Sequence, residues 1–306
     1  MLDLRNLETF VWVWRLGGFR AAAEKLKTTQ PAISARIALL ERDLGTRVFD
    51  RRARQVLLTA KGAELLGYAE RMLALRADMM RAIGDTASLR GNLRLGVPET
   101  IVHTWLAELV DRISAAYPSV SVDIDVDSTV NLRAGLLAER LDIAFVDGEL
   151  VDPGLRATPL CTYTLDWFAG ERIVLPKRVR LEDVTRWPII TFRRKSRPHR
   201  DLRKLLTESG LGDARVFGSS SIAATVRMTL DGIGVCVLPP PVVAAEVAAG
   251  TLRRLPLAAA LPPIEFYVAY SANPDNHLAR SVAELAVATA RTHPGPRVDG
   301  SKFPIG

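Results

Sequence analysis

From Leu4 to Arg15 the apolar residues Leu4, Leu7, Phe10, Val11 and Trp14 recur at intervals of three and four, which predicts a helix with one greasy side. Gly17-Gly18 breaks it. FRAAAEKLK follows, dense in strong helix formers, with Phe19, Ala22, Ala23 and Leu26 on one face. A third helix is predicted inside TTQPAISARIALLERDLG, residues 28–45. Thr28-Thr29 can cap it, Pro31 sits in the first turn where its missing N–H costs nothing, and Gly45 is a natural stop. Its apolar stripe of Ile33, Ile37, Leu40 and Leu44 is narrow, and Gln30, Ser34, Arg36 and Arg42 occupy the other faces. Val48-Phe49 and Val56-Leu57-Leu58 then read as two short strands around the turn DRRARQ.

A long helix is predicted from Thr59 to about Thr86. Leu65, Tyr68, Met72, Leu75, Met79 and Ala82 alternate by three and four along it, and Leu66, Leu73 and Met80 widen the stripe. The stripe could pack on its own domain. A seam that outruns so small a domain predicts pairing with a second copy of the chain. Beyond Gly91 the period keeps switching. NLRLGV, SVDIDV and DIAFV read as strands, with helices at 99–117 and 132–140. A second set follows: TLDWFAG, IITF, a helix at 202–209, ARVFG, a helix at 222–230, and VCVL. IEFYVAY and a helix at 278–291 close the pattern. This alternation predicts an α/β fold with parallel sheets. The Pro- and Gly-rich tail, 293–306, reads as disordered.

At 306 residues the chain exceeds one ordinary core and suits two or three domains. No apolar run reaches the roughly 18 residues that cross a membrane. MLDLRNLETF lacks the basic-then-apolar pattern of a signal peptide. Only Cys161 and Cys236 are present, far apart, which argues against a disulfide framework and for a reducing cytoplasm. The net charge of +7 is uneven: residues 1–61 hold 12 Lys+Arg against 6 Asp+Glu, leaving 29 against 28 for the rest. A solvated basic face would explain it, but so would contact with DNA phosphates.

Helix, turn, helix and two-stranded wing make a winged helix-turn-helix. The third helix, with its stripe buried, is then free to enter a major groove. Gln30, Ser34 and Arg36 are its candidate base or phosphate contacts, with Arg20, Thr29 and Pro31 on the same surface. Arg51, Arg52 and Arg54 at the wing tip can reach phosphates or a minor groove.

At LETFVWVW, GGFRAAAEKL, TTQPAISARIALLERDLGTRVFDR and LTAKG the sequence resembles the LysR-type transcriptional regulators. The match is close over about the first sixty residues, and LDIAFVDG and DGIGVCVLP resemble the more variable effector domain. The resemblance implies a regulator that binds an interrupted palindrome in double-stranded DNA, responds to a small molecule, and works with RNA polymerase. It implies homodimers through the linker helix, and commonly homotetramers. Two positions depart from the pattern. Gly18 stands where a serine often caps the next helix, and Ala35 stands where many members carry arginine.

The resemblance also implies a C-terminal part like periplasmic binding proteins, with a ligand between two lobes. The expected domains are 1–61 (winged helix-turn-helix), 62–90 (linker and dimerisation helix) and 91–292 (effector binding). Lobe one is placed at 91–162 with 268–292 and lobe two at 163–267. Thr100, Ser128, Thr129, Ser219 and Ser220 lie at strand-to-helix turns, where hydroxyls and helix N-termini suit a small carboxylate or other anion. Each is equally placed to be a plain N-cap. Arg194, Ser196 and Arg197 in FRRKSRPHR could add charge at the cleft mouth, and Phe145 could line an apolar wall or belong to the core. The dimer seam would be Leu65, Tyr68, Met72, Leu75 and Met79.

An enzyme is disfavoured, and no cofactor or metal is expected. The four histidines are scattered, there is no HExxH, CxxC, GxGxxG or GxxxxGK[ST], and GSSSI lacks the second glycine of a nucleophile elbow. A ligand-free architectural DNA binder would leave over two hundred nearly neutral residues without a purpose.

Overall fold

The computed structural model describes residues 3–50, 56–83, 91–150, 152, 154–272 and 276–293. The chain divides into two compact units, one of residues 1–86 with 272–277, the other of 87–271 with 278–306. The tail read as disordered lies, after His293, outside the described residues, as do the wing-tip arginines Arg51, Arg52 and Arg54. No described helix is long and apolar enough to cross a membrane.

In the first unit, α1 (Leu4–Arg15) is capped by Asp3, which accepts from Arg5 N–H at 2.9 Å. Helix α2 (Phe19–Lys25) follows Gly18, which has no side chain to cap it. Helix α3 (Gln30–Leu44) starts at Thr29, whose Oγ1 accepts from Ala32 N–H at 3.4 Å, and stops at left-handed Gly45. These three helices bury Leu7, Phe10, Val11, Ala22, Ile33, Ile37 and Leu40 in one core. Phe49 closes it, its ring 5.3 Å from that of Phe10 and 5.9 Å from that of Phe19.

Phe49 opens the wing, in which β1 (Phe49–Asp50) pairs antiparallel with β2 (Leu57–Leu58). Glu41 on α3 holds the wing in place, its carboxylate accepting from Val48 N–H at 2.9 Å. The LTAKG stretch explains itself here. Thr59 N–H donates to the Val48 carbonyl, its hydroxyl donates to Arg47 O at 2.8 Å, and the same oxygen caps α4 (Ala60–Ile83) by accepting from Gly62 N–H at 2.9 Å. A separate linker from residue 62 does not hold. Ala69 and Leu73 of α4 are buried in the winged core, and Arg15 bonds Glu70 at 2.7 Å, so this half of the helix belongs to the same unit.

The second unit contains two five-stranded sheets. The first lobe holds β3 (Gly91–Val97), β4 (Val120–Val126), β5 (Ile143–Asp147), β6 (Leu155–Tyr163) and β12 (Ile264–Ser271), in the order β4-β3-β5-β12-β6. Helices α6 (Leu106–Ala116) and α12 (His277–Thr292) contribute to the apolar cluster on one face, and α7 (Thr129–Leu137) to that on the other. The second lobe holds β7 (Asp166–Gly170), β8 (Ile189–Phe192), β9 (Val216–Ser219), β10 (Val235–Leu238) and β11 (Leu252–Leu255), in the order β11-β7-β10-β8-β9. Helices α9 (Arg197–Glu208) and α10 (Ile222–Leu230) pack on it, with short α8 (Leu181–Val184) and α11 (Ala244–Ala248) at its margins. The chain crosses between lobes twice, after Tyr163 and before Ile264.

Four expectations change. The sheets are mixed rather than parallel, because β12 runs antiparallel to β5 and β6, and β7 antiparallel to β10 and β11. The lobe boundary does not fall at 267/268, since β12 is bonded to β6 from Ile264 onward. The predicted helix 99–117 is two pieces, α5 (Glu99–Val102) and α6, with Trp105 between them buried against Phe145 at 5.5 Å between ring centroids. The helix predicted at 202–209 starts a turn earlier: α9 begins at Arg197, within FRRKSRPHR, capped by Ser196.

A Cβ on Gly62 would lie 2.1 Å from the Val48 carbonyl oxygen, a contact with backbone rather than a movable side chain. Gly62→Ala is therefore expected to weaken the wing–helix junction by about 1–3 kcal/mol. Amide hydrogen exchange at Val48 and Phe49 should speed by roughly tenfold or more. Unchanged protection there would mean the junction has room to spare.

Candidate functional site

Helix α3 turns one side to the core and leaves Gln30, Pro31, Ser34, Ala35, Ala38, Leu39 and Arg42 exposed. Its residues advance about 100° each. With Ile33, Ile37 and Leu40 inward, Pro31, Ala35, Ala38 and Arg42 point furthest out, and Gln30 and Ser34 flank them. Arg36 is not on that outer line. It is half-buried on the flank towards α1, where its guanidinium donates to the Thr9 hydroxyl at 3.5 Å. Thr29 is exposed, but its hydroxyl is engaged in the cap. Arg20 on α2 is exposed beside Glu24, at 3.3 Å.

Along α4, Tyr68, Met72, Leu75 and Met79 are exposed by 55, 42, 69 and 51 %, a row spaced four, three and four. Leu65 is partly buried against the winged core, together with Leu66, and Leu73 lies within that core. The helix therefore carries two apolar stripes, an inner one that folds the unit and an outer one with no cover within the chain's described residues.

In the second unit the lobes meet through polar contacts at strand ends and helix starts. Glu99, the first residue of α5, accepts a hydrogen bond from Ile222 N–H at the start of α10, across the cleft. Arg197, at the start of α9, bonds Asp147 at the end of β5 at 2.6 Å and donates to Pro263 O at 2.9 Å. Arg193 meets Asp127 at 3.4 Å. Burial opposes the charge on Arg197, but its bonds to Asp147 outweigh this and raise its pKa above the usual arginine value. Burial likewise pushes Asp127 up, while Ser128 N–H, Asn131 and Arg193 pull harder and leave its carboxyl below the ordinary range.

The hydroxyls singled out from the sequence have mostly local work. Ser128 caps α7, and Thr129 Oγ1 accepts from Asp147 N–H at 2.9 Å. Ser196 caps α9, and Ser219 bonds the backbone of Ser221, which itself caps α10. Ser220 and Arg194 are exposed. Thr100, on α5, is 2 % exposed, and Phe145 is fully buried in the apolar cluster beside Trp105. Sequence reasoning passed over Glu99, Asp127 and Asp147. Their only signal was position, each following an apolar strand where a helix or turn begins. A cavity of about 370 Å³ lies wholly within lobe one, between β4 and α7, bordered by Asp125, Asp127, Asn131 and Arg140. Cys161 and Cys236 are buried free thiols pushed up to about 12 by desolvation, too high for nucleophiles.

Residues 4–63 match the family model for bacterial regulatory helix-turn-helix proteins of the lysR family, and residues 86–291 match the LysR substrate binding domain. The chain belongs to the LysR family. It is thus a DNA-binding transcriptional regulator with an effector-binding domain, and its relatives are regulators, not enzymes. It is 31 % identical to the HTH-type transcriptional regulator PtxR of Pseudomonas aeruginosa, over 88 % of this chain and 86 % of that one. The fold is shared with full-length LysG of Corynebacterium glutamicum with bound effector Arg (TM-score 0.57, 17 % identity, 96 % of this chain and 100 % of that one). It is shared also with full-length CbnR complexed with its target DNA (TM-score 0.53, 20 % identity, 95 % and 100 %). As a LysR-family member the chain has its winged unit for DNA and its two-lobed unit for a small molecule.

The depressed pKa of Asp127 makes the effector-binding unit acid-sensitive. Its folded-state pKa lies below the ordinary 3.8, so the unfolded chain binds more protons as the solution is acidified. The stabilisation is complete above about pH 5 and is lost as pH falls through the unfolded value towards the folded one. Urea unfolding from pH 6 down to pH 3 should show Asp127→Asn with a shallower loss of stability than the parent. Parallel slopes would remove Asp127 from the acid response.

Proposed function

We propose that this regulator responds to a small carboxylate or related anion held between its two lobes, against the N-terminus of α10. The observation that carries the reading is the Glu99 carboxylate, already seated on Ile222 N–H across the cleft. A helix N-terminus with unsatisfied N–H groups favours negative charge, and this one accommodates a carboxylate without rearrangement. Arg193 and exposed Arg194 supply positive charge from the same lobe. Ser219 and Ser220 directly precede Ser221, the cap of α10, and Ser128 and Thr129 open α7 next to Asp127, the partner of Arg193. The arginine bound to LysG also carries a carboxylate.

On this reading Glu99 competes with the effector. A panel of small carboxylates, amines and neutral analogues is screened by thermal shift against the parent protein and Glu99→Gln. Carboxylates should raise the melting temperature, and the variant should need roughly tenfold less of them, about one charge-assisted hydrogen bond. Stabilisation by amines alone, weakened in the variant, would reverse the assignment and make Glu99 a ligand-binding residue.

The regulator acts in the cytoplasm as a homodimer, or a tetramer built from dimers, on an interrupted palindrome in double-stranded DNA, with RNA polymerase as a further partner. Two buried free thiols suit a reducing compartment. Gln30, Pro31 and Ser34 enter the groove, while Arg20, Arg36 and the wing arginines Arg51, Arg52 and Arg54 serve phosphates. Dimers form along Tyr68, Met72, Leu75 and Met79, with Leu65 at the start of the seam. Because Met72 is 42 % exposed, Met72→Glu leaves the fold intact and puts a charge into the seam. Sedimentation should find dissociation weakened dimers at protein concentrations where the parent is fully paired. An unchanged sedimentation coefficient would move the interface elsewhere.

A further inference from the structure

Helix α3 presents an unusual outer line for a helix that reads bases. Its most outward residues between Pro31 and Arg42 are Ala35 and Ala38, with Leu39 beside them at 39 % exposure. None of the three can donate or accept a hydrogen bond through its side chain. Polar reach is confined to the flanks, at Gln30 and Ser34, and to the far end, at Arg42. Arg36, the central cation, is turned aside to Thr9 on α1.

A base edge opposite Ala35 or Ala38 loses water and gains no hydrogen-bond partner. Bases whose groove edge is only donors and acceptors are penalised for this. The major groove offers one apolar group, the C5-methyl of thymine. Short side chains also let the helix axis come closer to the floor of the groove, bringing a methyl-to-methyl contact within reach. We infer that Ala35 and Ala38, aided by Leu39, read thymine C5-methyl groups, so that each operator half-site carries T·A pairs opposite the middle of α3.

The test uses the full-length protein and duplexes enriched by it from a randomised pool. Each thymine of the enriched half-site is replaced singly by uracil, which removes the methyl and keeps every hydrogen-bonding group. At one or two positions per half-site the substitution should weaken binding about fourfold, the worth of one buried methyl-sized group. At the remaining thymines it should be neutral. Ala35→Arg, on an exposed helical position that arginine suits, should lose the uracil sensitivity opposite residue 35 and shift the preferred base there to guanine. Neutral uracil substitution throughout the half-site would overturn the inference. So would an Ala35→Arg variant that selects the parent's bases.

Discussion

Ile33, Ile37 and Leu40 hold helix α3 against α1 and α2 by burial of a single stripe, at 0, 4 and 0 % exposure. Their burial contributes roughly 1.5–3 kcal/mol each and, being confined to one stripe, also sets the rotation of the helix about its axis. Every outward property of the winged unit depends on that rotation. It turns Arg36 to the flank and Ala35 and Ala38 to the front. The ends of the helix are then fastened separately, by the Thr29 cap at one and by Glu41 gripping the first wing residues near the other. A recognition surface so mounted is rigid, and its specificity is a matter of which few side chains the core did not claim.

The linker helix α4 obeys the same division. Ala69 and Leu73 are drawn into the winged core while Tyr68, Met72, Leu75 and Met79 stay outside. One stripe folds the unit and the other is available to a second copy. In a small domain these roles sit only about a quarter-turn apart, which is why the sequence shows one broad band rather than two stripes.

Charge is divided between the lobes of the effector-binding unit. Lobe one brings Glu99, Asp127 and Asp147 to the cleft, and lobe two brings Arg193, Arg197 and the start of α10. Such pairs offset the desolvation of their charges more than they add net stability, and breaking one leaves a charge uncompensated. They are suited to setting the separation of two bodies joined by two chain crossings. A ligand that bonds one member of a pair more strongly than its partner does shifts that separation, which is the physical form an effector response takes here.

Local patterns made much of this molecule legible. Period-three-and-four stripes located α1, α3 and α4, Thr29 and Gly45 bracketed the recognition helix, and the GGFRAAAEKL, TTQPAISARIALLERDLG and LTAKG stretches carried the family resemblance. Those features depend on neighbours a few residues apart, so the sequence by itself determined them. Strand direction was not legible, because an apolar run such as IEFYVAY reads the same whether it pairs parallel or antiparallel. The partners of polar residues were hidden for the same reason. Glu99 and Ile222 are separated by 123 residues, and Asp147 and Arg197 by 50. No periodicity records such a meeting, and only the tertiary structure decided it, by the way two mixed sheets bring their strand ends to one cleft.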